Sequence, residues 1–167
     1  VTRVALVPGC LALLPEYASL EDPVEELRSA CLAAVAWLGE EVRVVAGAKG
    51  ARVASALLAE VGAAPTNSAE AAYLIVGNGS ACRSEKAPGH LDPRAAGFDE
   101  LLGRSLAKPD ADALGALDRG LGADLWADVD PIVESADLLR GVDTVAIDYD
   151  ADPYGVRYWV ARWARRA

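Results

Sequence analysis

The chain has 167 residues, a net charge of −9, three cysteines and one histidine. That length suits a single domain with a sizeable core, and no apolar run approaches the ~18 residues of a membrane span. The acidic balance argues against a nucleic-acid binder, the odd cysteine count against a disulfide framework, and the lone histidine against a multi-histidine metal site.

The opening VTRVALVPG breaks at Pro8 and lacks the layout of a signal peptide, so residues 3–7 read as a buried strand of a cytoplasmic protein. Asp22, Pro23 and Glu25 then carry the signature of a helix start, with Asp22 as N-cap. Val24, Leu27, Cys31, Val35 and Leu38 follow at helical spacing, which places Cys31 on the buried stripe. Residues 42–46 read as a second strand, GAKG at 47–50 as a loop, and 51–61 as a helix. A third strand, AYLIV at 72–76, runs into the polar stretch VGNGSACRSEKAPGHLDPR.

Asp92-Pro93 repeats the cap-and-proline signal before a helix that buries Phe98, Leu101, Leu102 and Leu106. Pro109-Asp110 starts a helix carrying Leu114, Leu117 and Leu121, and Asp130-Pro131 starts a short one through Leu139. Residues 142–149 read as a strand, DADPYG as a turn, and VRYWVARW as a strand with Trp159 and Trp163 on one face. Those tryptophans cover helices or a partner subunit. Arg157, Arg162, Arg165 and Arg166 read as a solvated strand end and tail.

This order predicts one α/β domain over residues 1–167. Its central sheet is mostly parallel, with helices on both faces and a C-terminal antiparallel strand pair. Ligands of such sheets gather beyond the carboxyl ends of the strands. There the loops offer Cys10, Lys49, Asn78, Ser80, Cys82, Arg83, Glu85 and His90 as pocket-lining residues, with Tyr154 from the late turn. Ser80, Cys82 and His90 are the candidate catalytic groups. Each also has a plainer reading: buried thiols as packing, His90 as a structural hydrogen bond, and the 83–86 run as a solvated turn. No phosphate loop, GxGxxG or GxSxG motif is present.

The stretch GNGSACRSEKAPGHLDPRAAGFDELL, with the late YDADPYGVRYWVARW, resembles the class III (LigB-type) extradiol ring-cleavage dioxygenases. The likeness is nearest to the compact, alanine-rich actinobacterial members of that superfamily. The resemblance implies an α/β fold, often dimeric. In active members a ferrous iron held by two histidines and a glutamate, helped by another histidine, opens a catechol ring with dioxygen. It places the iron histidines where this chain has Pro8-Gly9-Cys10 and Ala46-Gly47-Ala48. The acid/base histidine closes a Gly-Asp-x-Ser-His pattern that reads Gly77-Asn78-Gly79-Ser80-Ala81 here, so Ala81 takes its position.

The expectation is therefore a degenerate LigB-like protein without iron or another cofactor, which has lost dioxygenase activity and binds a small molecule or a partner. The alternative is an Fe(II) or zinc enzyme, an oxidoreductase or hydrolase, with a rebuilt site of Cys10, Cys82 and His90 plus Glu85 or Asp92. In a third reading the tryptophans serve assembly of a homodimer. Nucleic acid and membrane are not expected partners.

Overall fold

Every second residue of a strand faces the same side of a sheet, and in this chain both sides are apolar. In β1 (Thr2–Val7), Ala5 and Val7 face one helical layer while Val4 and Leu6 face the other. β4 (Ala72–Val76) divides in the same way, Leu74 and Val76 against Ile75. So does β6 (Tyr158–Arg165), with Val160 opposed to Trp159, Ala161 and Trp163. Strands buried on both faces belong between two layers of helices. The computed structural model, which describes residues 1–17 and 21–167, has that architecture.

The remaining strands are β2 (Glu41–Val45), β3 (Ala64–Pro65) and β5 (Thr144–Ala151), and the sheet order is β3-β2-β4-β1-β6-β5. The first four strands of that order are parallel. β6 is antiparallel to both β1 and β5, which gives the expected C-terminal antiparallel addition. α1 (Glu25–Leu38) and α2 (Ala48–Val61) pack on one face. The other is covered by α3 (Ala95–Ala107), α4 (Ala111–Gly115), α5 (Arg119–Asp124) and α6 (Asp130–Glu134). No described helix is long and apolar enough to cross a membrane.

Both strand tryptophans are consumed inside the chain. Trp163 donates its indole N–H to the Leu106 carbonyl at 3.1 Å, and Trp159 lies against Gly103 of α3. Each is 1% exposed.

Local differences from the sequence expectations have physical causes. Asp22 and Asp92 do not cap helices. Each accepts the backbone N–H two residues on, from Val24 at 3.1 Å and Arg94 at 2.9 Å, and the helices begin at Glu25 and Ala95. These are Asx turns, which bend the chain across an X-Pro step where the residue before proline avoids helical geometry. The region beyond Asp110 is two helices rather than one, because Asp110 caps α4 through Ala113 N–H and Asp118 starts α5 through Leu121 N–H. GAKG is not a free loop. Gly47 precedes α2, and Gly50 packs so closely on Val76 that a Cβ there would lie 2.9 Å from Val76 Cγ1. The late strand runs to Ala151, with an irregularity between Ile147 and Tyr149.

Candidate functional site

The polar stretch after β4 is a buried strap. Residues 77–82 are all buried. Gly77 N–H bonds the Val7 carbonyl at 3.0 Å, and Asn78 exchanges backbone bonds with Asp128 at 3.0 and 3.1 Å. Ala81 N–H bonds Leu125 on that same side. On the opposite side Gly79 and Ser80 bond Arg157, and Arg83 N–H bonds Gly155. The strap thus continues the sheet beyond β4, between the α5–α6 connection and the β5–β6 turn. This satisfies the backbone groups that burial would otherwise penalise.

Two polar clusters grow from this strap. In the first, Asp99 from α3 is 2% exposed and accepts two bonds from Ser80: its N–H at 2.8 Å and its hydroxyl at 2.6 Å. Arg83 approaches the same carboxylate at 3.5 Å and also bonds Asp152 at 3.1 Å. Arg157 pairs with Asp150 and lies over the Trp159 ring. Burial pushes the Asp99 carboxyl above its ordinary value, against the Ser80 bonds and the charges of Arg83 and Arg157. Gly79 is required by this packing, since a Cβ there would sit 2.5 Å from Asp99 Oδ1.

The second cluster lies where connections diverge. β1 leads into the α1 layer, and the neighbouring β4 leads into the α3 layer. Adjacent strands with opposite departures open a crevice at their carboxyl ends, the usual ligand position in open α/β sheets. Gly9 and Asn78 floor it, joined by Gly9 N–H to Asn78 Oδ1 at 3.3 Å. Asn78 is fixed further by Nδ2 donating to the Gly79 carbonyl at 3.0 Å. A Cβ on Gly9 would lie 3.6 Å from Asp128 Oδ2, 3.7 Å from Asn78 Oδ1 and 3.7 Å from Lys49 Cε. Three polar side chains therefore converge over one glycine.

Lys49 is exposed and Asp128 half-buried, and neither the ammonium of the one nor the carboxylate of the other makes a direct hydrogen bond or ion pair among the described residues. Burial pushes the Asp128 carboxyl up; Lys49 opposes that shift and Asp130 adds to it. A hollow of about 510 Å³ lies elsewhere, between the end of α3, α4 and residues 139–141. Its Arg140 is already paired with Asp112 and Asp137, and Arg104 with Glu100.

The structure thus brings Lys49 and Asn78 together with Gly9 and Asp128, and Ser80 and Arg83 together with Asp99. It does not join the rest. Cys10 packs in the α1–α2 layer, bonded to the Tyr158 hydroxyl, whose proton burial holds more tightly. Cys82 packs on the opposite face, its thiol donating to the Leu125 carbonyl at 3.4 Å. Burial pushes the Cys82 thiol up, and Cys31 likewise. His90 is exposed, with φ of 60° and Nδ1 3.4 Å from the Glu85 carbonyl oxygen. Glu85 is exposed, and so is Tyr154, whose hydroxyl lies 3.5 Å from the Pro23 carbonyl. Ala81 is buried within the strap. Among the described residues no three His, Cys, Asp or Glu side chains form a group that could hold a metal ion.

Asp99, Asp128 and Arg157 are absent from the sequence-derived set. Asp99 had a usable signal: it falls on the stripe of Ala95, Phe98, Leu102 and Leu106, and a charged residue on a buried stripe must be paired. Asp128 had none, lying in the acidic run WADVDP between short helices. No protein-family model matches the chain, and no curated protein matches it.

Proposed function

We propose that this chain is a LigB-like scaffold without the iron centre, which binds a small polar molecule in the crevice over Gly9. The observation that carries this reading is the convergence of Lys49, Asn78 and Asp128 on that glycine, with the ammonium and carboxylate in no direct hydrogen bond or ion pair among the described residues. Lys49 is exposed and Asp128 half-buried, so both charges stay open to water and free to meet a ligand. A ligand that bonds both groups would exchange their water for fixed partners.

The donor set does not fit the two-histidine, one-carboxylate iron that the resemblance implies. The crevice offers one carboxylate, one amide already committed to backbone bonds, and one ammonium. An ammonium repels a cation, and a single carboxylate does not make a facial triad. What the chain's own residues can do is orient a ligand by charge, against a floor held rigid by Asn78.

The test is thermal unfolding of the full chain against small-molecule mixtures sorted by charge and size, repeated with Gly9→Leu, which fills the crevice. At least one mixture is expected to raise the melting temperature of the native chain saturably and leave Gly9→Leu unmoved. If no mixture does so, the binding reading fails. Stoichiometric iron in protein prepared without chelator, together with oxygen-dependent catechol cleavage, would overturn the iron-free assignment.

A further inference from the structure

The two edges of the sheet are guarded unequally. β3 ends one side with two residues, the second of which is Pro65, and a proline has no N–H to offer a further strand. β5 ends the other side with eight residues. Its inner side pairs with β6, and its outer side pairs with no described strand. A long edge of this kind is a template for another strand unless charge, proline or a bulge blunts it. The irregularity between Ile147 and Tyr149 blunts the far half. The near half, TVAI from Thr144 to Ile147, carries no charge and runs in unbroken register with residues 161–164. Thr144 and Val145 are exposed.

The charges flanking that segment are sorted by sign. Arg165 and Arg166 stand at its start. Arg165 donates to the Arg140 carbonyl at 3.0 Å, Arg166 N–H bonds Asp143 at 2.7 Å, and neither guanidinium makes an ion pair among the described residues. Asp148 and Asp150 follow its end, each held by a single arginine, Arg162 and Arg157.

We propose that the Thr144–Ile147 edge pairs antiparallel with the same edge of a second copy about a two-fold axis, joining the two sheets into one. The two-fold reverses the second edge, so the arginine end of each copy lies along the aspartate end of the other. Within the segment Val145 faces Ala146 and Thr144 faces Ile147, and no like charges oppose one another. A second copy is the fitting occupant because β3 cannot receive β5. Edge meets like edge, and the assembly closes as a dimer instead of growing into a filament. Both strand tryptophans are buried within the chain, so the edge and not the indoles carries this contact. It is independent of the crevice over Gly9.

The test follows the full chain from dilute solution to about 1 mM by sedimentation and by amide hydrogen exchange of residues 144–147. The mass is expected to double over that range while exchange at the outward-facing amides slows about tenfold or more. Thr144→Lys combined with Val145→Lys alters two exposed positions and sets like charges opposite one another, and it is expected to weaken dimerisation about tenfold or more. Arg165→Glu with Arg166→Glu should weaken it by a smaller factor, and so should added salt for the native chain. A chain still monomeric at about 1 mM leaves the edge to a strand of some other protein and overturns the proposal. A dimer whose 144–147 amides exchange as fast as those of the monomer, or one that the folded lysine variant forms equally well, overturns it too. If the lysine variant fails to fold, exchange in the native chain decides.

Discussion

The two polar clusters on the strap differ in how their charges are paired. Around Asp99 every charge has a partner: Ser80 twice, Arg83 shared with Asp152, and Arg157 with Asp150. Around Gly9 an exposed ammonium and a half-buried carboxylate make no direct hydrogen bond or ion pair among the described residues. Polar groups buried and fully paired lock one conformation. Charged groups left open to water and free of direct partners can change their contacts without disturbing the fold.

The comparison is sharpest where the lock is broken. Asp99→Ala leaves Ser80 and Arg83 without their shared acceptor inside the protein and is expected to cost about 3 kcal/mol, read by urea unfolding. A smaller loss, of about 2 kcal/mol, is expected for Gly79→Ala, whose Cβ would strike Asp99 Oδ1 and the Trp159 ring. An effect of less than about 0.5 kcal/mol for either would remove the distinction between the clusters.

The pH dependence carries the next effect. Burial raises the Asp99 carboxyl above the ordinary 3.8, so its contribution to stability is fullest below that value and is lost as pH rises through the raised one. Asp92, lowered chiefly by its bond from the Arg94 side chain, has the opposite sign, stabilising above 3.8 and losing that as pH falls. Asp99→Asn should therefore flatten the fall in unfolding free energy with rising pH, measured by urea unfolding from acid to neutral. An unchanged slope would show that Asp99 is not the buried group it is taken for.

The smallest stability effects belong to the crevice. Gly9→Ala meets only ordinary van der Waals contacts, and Lys49→Met and Asp128→Asn break no bond. Each should leave stability within about 0.5 kcal/mol of the native chain in the absence of ligand. A large loss at any of them would mark the crevice as a second lock.

Much of the frame was legible because periodicity reports burial directly. The stripe of Leu27, Cys31, Val35 and Leu38 and the parity of Trp159 and Trp163 both follow from helical and strand spacing. The carboxyl-end position of Lys49 and Asn78 follows from strand order. What spacing could not convey was pairing across distance. His90 drew attention as the lone histidine in a polar loop, yet the strap turns inward at its start and reaches the surface by His90. Cys10 and Cys82 both follow strands of one sheet, yet they depart to opposite faces, since the β1 and β4 connections diverge. The short β3 was missed because two residues ending in a proline carry no alternation.

The pairing of β1 with β6 has a consequence for how the molecule is made. Thr2 lies opposite Arg165, so one side of the central strand stays open until residue 165 has been synthesised. The strap waits as well, because Gly79, Ser80 and Arg83 take their partners from residues 155–157. Long-range closure of this kind is slow relative to helix formation. The crevice should therefore be among the last features to take shape, and a nascent chain stalled before residue 155 would carry its lysine, asparagine and aspartate without the frame that brings them together.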